Sequence, residues 1–386
     1  MSNATPLPRN LITPLTLVLA ALTIIGFYFM GIRFIYGMGA ATNLNPGYPW
    51  GIWVVLDIFV GTAIGSGGLA MATAVYLFNG AHYHRLMRPA LLGSLCGYTL
   101  GGFAAFVDLG RYWNGYNLFL PWYWQPNSAM FEVALCMMAY TAVVWVEFAP
   151  VFMERFKWLD RFGLKRLLDR WMFAIVAFGM LLPFMHQSSF GTVILAAGPK
   201  LSPLWATAWL PLLFVTNAIL LGFSTVMLEG TVVAQCFELP SEHKLLSQLS
   251  RFAGWLTVAW LGVRWADLIS RGVLDLAFAG NLNATMFWIE NALMVGAIAV
   301  FLTRAGRASR RAWFVAAGAL FIAGCLYRID TLLITPTPVG NWSYFPSVPE
   351  IMVTVGIVAL EILIYLVAIK MFPVLEGARR AGTARA

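Results

Sequence analysis

The chain has 386 residues, of which 60% are hydrophobic and 11% charged, with a mean hydropathy of +0.76, against roughly 25% charged residues in an ordinary soluble domain. Twenty-five Lys and Arg against 17 Asp and Glu give a net charge of +8, which in a soluble protein would suggest nucleic acid. With 16 Trp, 28 Phe and 35 Gly in so apolar a chain, the composition is that of a polytopic membrane protein, and a soluble enzyme or nucleic-acid module is excluded.

A spanning helix needs about 20 mostly apolar residues. In chain order such runs, separated by Pro, Gly, Asn or clustered charge, fall at 11–35, 52–78, 88–108, 128–152, 170–190, 207–235, 247–268, 284–303, 312–334 and 350–371. They predict an all-α integral membrane protein of about ten transmembrane helices. The first run follows the segment Met1 to Asn10 and lacks an A-x-A-like cleavage site, so it reads as a retained helix. The stretch from Met185 to Ala197 reads as a bent continuation of the fifth helix or as a re-entrant piece. Cys96, Cys136, Cys236 and Cys325 lie in apolar stretches without a C-x-x-C pair. That spacing supports no iron-sulfur cluster, zinc site or disulfide framework, and the thiols read as small buried hydrophobes.

Nineteen of the 25 basic residues fall in the N-terminal segment, the even-numbered loops and the C-terminal tail, whereas the odd-numbered loops hold only Arg111, Lys200 and Arg271. Cytoplasmic segments retain positive charge, so both termini are expected in the cytoplasm. Arg33, Arg264 and Arg328 lie inside runs, toward their outer ends.

A charge at the bilayer centre costs about 2.5–3.5 kcal/mol even on a lenient scale, so ionisable residues at depth are candidates for function. In the second to fifth runs Asp57, Asp108, Glu132 and His186 are each expected near an outer helix end, with Arg111 just beyond Asp108. In the seventh to ninth, Arg264, Asp267, Glu290, Arg328 and Asp330 are expected at the same level. Arg264 with Asp267 and Arg328 with Asp330 read either as neutralising ion pairs or as functional groups. Glu147 and Glu229 lie toward the cytoplasmic side and Glu361 near the middle of the last run. DLGR followed by MFE at Glu132, and DLISR followed by MFWIE at Glu290, suggest that the second to fifth and sixth to ninth helices are parallel repeats of one four-helix bundle. A single membrane domain over 1–386 then divides into a flanking helix and outer loop at 11–51, bundles at 52–200 and 201–335, and a flanking helix with cytoplasmic tail at 336–386.

The segments PGYPWGIWVVLDIFVGTAIGSGG, RPALLGSLCGYTLGG, DLGRYWN, VEFAP, MHQSSFG, LAFAG with MFWIE, and YFPSVPE together resemble the NrfD/polysulfide-reductase family of quinone-interacting membrane subunits over nearly the whole chain. Within it the chain is most similar to the membrane subunits of nickel-iron hydrogenase complexes. The resemblance implies two four-helix bundles with flanking helices in a bacterial inner membrane. It also implies electron transfer between a ferredoxin-like iron-sulfur subunit on the periplasmic face, itself joined to the hydrogenase small and large subunits, and quinone as substrate, either menaquinone or ubiquinone. The family's quinone pocket maps to Asp108, Arg111, Glu132, His186 and Gln187; Asp57 joins it on depth alone.

Two-electron quinone reduction also consumes two protons. His186 and Asp108 are expected nearest the quinone carbonyls, with Glu132 supplying protons and Arg111 keeping Asp108 ionised. Glu147, Glu229 and Glu361 would carry cytoplasmic protons if they form a relay. No metal, haem or iron-sulfur cluster is expected in this chain, because a b haem usually takes two axial histidines and only His186 of the four lies at depth, His82, His84 and His243 being in loops. Other readings are the quinone module of a different oxidoreductase of the same family, a proton-coupled secondary transporter, or an anchor whose aromatic and Pro-rich outer loops hold a peripheral complex.

Overall fold

The structure, a computed structural model, describes residues 4, 6–7, 10–77, 83–160, 163–338, 340 and 342–375. Arg9, His82, Arg161, Arg379, Arg380 and Arg385, counted above as loop residues, lie outside the described residues.

Ten long helices follow one another: α1 (Pro14–Tyr36), α2 (Val54–Tyr76), α3 (His84–Asp108), α4 (Ala129–Arg155), α5 (Leu164–Leu195), α6 (Leu210–Cys236), α7 (His243–Ser270), α8 (Leu282–Phe301), α9 (Arg310–Ile334) and α10 (Val348–Met371). Among the described residues nine are long and apolar enough to cross a membrane. The other, α7, has 28 residues, about 42 Å of helix, made more polar by Arg251, Arg264 and Asp267. This is a multi-pass, all-α membrane protein.

Local chemistry explains several helix starts. Ser128 accepts from the Phe131 amide, Asn281 from Ala284 and Ser309 from Ala312, each satisfying an amide that the helix leaves unpaired. Ser347 and Glu350 cap α10 reciprocally. α5 begins earlier than its apolar run suggested and continues unbroken through Pro183 to Leu195. The stretch from Met185 is therefore a continuation of that helix and not a re-entrant piece.

Two four-helix bundles, α2–α5 and α6–α9, pack through α5 against α6 and α2 against α6, while α1 and α10 pair on the outside against α2 and α3. Small residues permit the closest approaches, as is usual between helices in lipid. A Cβ on Gly222 would lie 2.6 Å from the Ser66 carbonyl oxygen, and one on Gly26 would lie 2.7 Å from the Gly356 Cα. Gly356→Val should therefore push α1 off α10 and cost about 1–3 kcal/mol. The check is the thermal midpoint of the detergent-solubilised protein, which should fall by several degrees; an unchanged midpoint contradicts the contact.

Alternation of the helices gives two faces. The basic face carries the N-terminal segment and the even-numbered loops; the aromatic face carries the loops α1–α2, α3–α4, α5–α6, α7–α8 and α9–α10. On the aromatic face fully buried Glu350 accepts from the Tyr344 hydroxyl (2.6 Å), the Asn43 amide (3.0 Å) and the Ser347 amide (2.8 Å), fastening the first and last of these loops together. Burial and the adjoining carboxylate hold the Tyr344 phenol well above its ordinary range.

Candidate functional site

Helix α5 carries His186 and Gln187, both fully buried, against α2 and α3. His186 Nδ1 lies 3.0 Å from the Leu182 carbonyl, which can only accept, so the network assigns the proton to Nδ1. Nε2 is then the acceptor, 3.0 Å from the Tyr98 hydroxyl and 3.1 Å from Gln187 Nε2. Gln187 Nε2 also donates to Thr62 Oγ1 at 3.2 Å, and the Tyr98 hydroxyl lies 3.3 Å from Ser66 Oγ. Gly65 and Gly97 bring α2 and α3 together here, a Cβ on Gly97 falling 3.1 Å from the Gly65 Cα. That approach sets the Tyr98 ring beside α2.

The outer acids do not join this network. Asp108 accepts from Trp53 Nε1 at 2.9 Å, and Tyr98 precedes it by ten residues on α3, about 15 Å along the helix. His186 is nine residues short of the end of α5, so it sits well inside the bilayer and not level with Asp108. The cation acting on Asp108 is Arg33 of α1, 1% exposed, whose guanidinium also donates to the Leu109 carbonyl. Arg111 is carried outward by the chain after Asp108 and is exposed, so it does not have the expected role of holding Asp108 ionised. Asp57 lies in a π-helical opening of α2, Val54–Val60, and its Oδ2 accepts from Thr354 Oγ1 of α10 at 3.3 Å. It faces α10 and the charge of Glu361, not Asp108. Glu132 stands half-buried in the first turn of α4.

On the aromatic face a cavity of about 530 Å³ opens between the start of α4, the end of α5 and the adjoining loops, with Trp50, Ala129, Ile194, Lys200 and Leu332 in its wall. Ser128 and Ala129 line it, and Glu132 follows them at i+4 and i+3 on the same side of α4. From Trp50 a seam of rings leads inward: Trp50 to Phe59 at 6.0 Å between centroids, Phe59 to Phe190 at 4.3 Å, and Phe190 to His186 at 5.8 Å. Size and lining suit a mostly apolar, drug-sized ligand with a few polar atoms. The cavity draws residues from four separated segments, so no sequence motif announces it.

Toward the basic face, Glu229 accepts from the Tyr365 hydroxyl, and both border a cavity of about 60 Å³. Thr354, Glu361 and Tyr365 recur at i, i+7 and i+11, one stripe of α10. The charge of Glu361 acts on both Asp57 and Glu229, linking acids of α2, α10 and α6. Glu147 lies elsewhere, packed over Gly179 and bordering a cavity of about 20 Å³ with Tyr140, room for one water. Tyr140 meets Tyr98 edge-on at 4.4 Å, which leads to His186.

The second bundle uses the echoed residues differently. Arg264 pairs with fully buried Glu290, which also accepts from Trp205 Nε1 at 3.1 Å. Asp267 pairs with Arg271 at 2.7 Å, so Arg264 and Asp267 are not partners. Arg328 does not pair with Asp330: it donates to Asn217 Oδ1 (2.7 Å) and to the carbonyls of Phe214 (2.7 Å) and Phe59 (2.9 Å). Phe59 belongs to the π opening, whose widened turn frees a carbonyl that Arg328 satisfies.

Among the described residues no group of three or more His, Cys, Asp and Glu is placed to hold a metal ion. The family described as polysulphide reductase, NrfD, matches residues 40–337. A protein of Escherichia coli, described as a probable Ni/Fe-hydrogenase 2 b-type cytochrome subunit, is 39% identical over 96% of this chain and 94% of its own length. The integral membrane subunit of a menaquinone reductase from Nitratidesulfovibrio vulgaris is 24% identical over 88% of this chain and 86% of its own. A selenate reductase subunit from Mesobacillus selenatarsenatis is 29% identical over 40% of this chain and 35% of its own. The first of these overturns the expectation that haem is absent: it is described as a b-type cytochrome subunit, and a count of histidines has no force against that description. Among the described residues His186 is the histidine at depth, and both its ring nitrogens are engaged, by Leu182 and by Tyr98 with Gln187. As arranged these residues do not offer haem an axial nitrogen.

Proposed function

The chain belongs to the NrfD family, and on that premise we propose that it is the quinone-reactive membrane subunit of a respiratory oxidoreductase, a nickel-iron hydrogenase complex in the first instance. The hydrogenase assignment rests on 39% identity over 96% of the chain to a hydrogenase-2 subunit. Quinone chemistry draws support from the menaquinone reductase relative. The observation that carries the reading is the cavity of about 530 Å³ on the aromatic face, joined by the Phe59 and Phe190 rings to the His186 network.

An iron-sulfur partner docks on the aromatic face, which is the periplasmic side of the inner membrane because 14 of the 20 described basic residues lie toward the other. Both termini are then cytoplasmic. Quinone takes two electrons from that partner and two protons, and leaves as quinol. Glu132, on the cavity side of α4, is the acid that delivers a proton. His186, whose Nε2 accepts from Tyr98 and Gln187, is the base that takes up a proton at Nε2 and passes it on. About 15 Å of helix separates Asp108 from Tyr98, more than one quinone ring spans, so Asp108 shapes the outer wall through Trp53 and only one of the two groups meets the ring. Glu229, Tyr365, Glu361 and Asp57 on one side, and Glu147 with Tyr140 on the other, conduct protons from the basic face, which makes the reaction electrogenic.

Filling the cavity tests the reading. In the intact complex, Ala129→Trp and Ile194→Trp should each lower quinone reduction roughly 10- to 100-fold by displacing the headgroup, while electron delivery to a soluble dye continues. Wild-type quinone reduction in both variants would overturn it.

A further inference from the structure

Away from that cavity, the lipid-facing side of the molecule carries a groove of about 750 Å³ between α2, α6 and α7 that the redox reading does not use. Its wall is ordered along the membrane normal. Gln248 and Arg251 occupy successive turns of α7 nearest the basic face, with Thr73 and Tyr83 across from them; Trp255, Leu256 and Ala259 follow one and two turns deeper, against Phe223 of α6. Arg251 is exposed and stands immediately before the apolar run from Phe252 to Val263, the order in which a basic residue meets headgroups at the end of a spanning segment. Trp255 is 62% exposed one turn further in, the depth at which indole rings favour the interface. No other lining side chain is charged.

We propose that this groove is a binding site for an anionic phospholipid, whose phosphate pairs with Arg251 and Gln248 and whose acyl chains lie along Trp255, Leu256, Ala259 and Phe223. Three features favour this occupant. The groove opens toward lipid. Its single charge is positive and sits at the headgroup end, as basic pockets between membrane helices that hold anionic lipids do. Its polarity falls from cationic to amphipathic to apolar over about 12 Å of helix, from Arg251 to Ala259, which matches the order of phosphate, glycerol ester and acyl chain. A quinone has no anionic head to place on Arg251.

The test uses the purified full chain, delipidated in mild detergent, titrated separately with cardiolipin, phosphatidylglycerol, phosphatidylethanolamine and menaquinone, and read by native mass spectrometry. Anionic lipid should add preferentially. Arg251→Gln should lower the anionic-over-zwitterionic preference about 5-fold, the effect of one basic residue near an anionic headgroup, and Arg251→Lys should retain it. Ala259→Trp, at an exposed position of α7, should weaken both kinds of lipid adduct by blocking the acyl path. An unchanged preference in Arg251→Gln, unchanged adducts in Ala259→Trp, or one-for-one displacement of the lipid by menaquinone would each overturn the proposal.

Discussion

Glu290→Leu should be among the most destabilising single changes in the protein, costing about 3–5 kcal/mol, because it leaves a buried guanidinium without its counter-charge. Arg264 is 2% exposed and Glu290 fully buried, and the guanidinium is also ringed by Phe287 at 4.8 Å, Tyr327 at 5.1 Å, and Trp205 and Trp260 at 5.4 Å. Those rings attract a cation but do not neutralise it, and Asp330 faces the same charge cluster. The variant should accumulate poorly and melt far below wild type in detergent. The double variant Arg264→Met with Glu290→Leu should recover most of the loss, since an apolar pair of similar volume removes the desolvation cost of both ions. Wild-type melting of Glu290→Leu alone would show that Arg264 is neutralised elsewhere.

That pair also marks the limit of what was legible in the sequence. Ten helices could be read from ten apolar runs because a bilayer demands about 20 such residues at a time. Partners could not be read, because ionic and hydrogen-bonded contacts in a bundle join distant segments. Arg264 finds Glu290 26 residues away, and Arg328 reaches Phe59 269 residues away. Counting residues from expected helix ends misjudged depth as well. The true end of α5 lies beyond its expected end, which moved His186 inward, and Asp57 turned toward α10 where the π opening of α2 changes the phase of its side chains. Tyr98 was missed although it stands in CGYTLGG, where small neighbours on α3 leave room for a large polar ring against another helix. Arg33 was noticed as a charge at depth, yet its action on Asp108 depends on α1 lying against the end of α3, a tertiary fact.

Under the proposed function, Glu132→Gln and His186→Gln should each lower quinone reduction by the intact complex about 10²-fold or more, the usual contribution of a positioned acid or base. Soluble-dye reduction by the same complex should be unaffected, because electrons reach the dye without passing the quinone cavity. Gln keeps the size of Glu132 and can still accept within the His186 network, so folding should survive and thermal midpoints should stay near wild type. Tyr98→Phe separates positioning from proton transfer. It removes the hydroxyl 3.0 Å from His186 Nε2 but leaves the ring edge-on to Tyr140, so it should cost less than His186→Gln, roughly tenfold, the net effect of one lost hydrogen bond. If His186→Gln and Glu132→Gln both reduce quinone at the wild-type rate, neither residue carries protons to it. If Glu132→Gln alone is impaired, the inner network is structural and the acid on α4 serves the cavity without it.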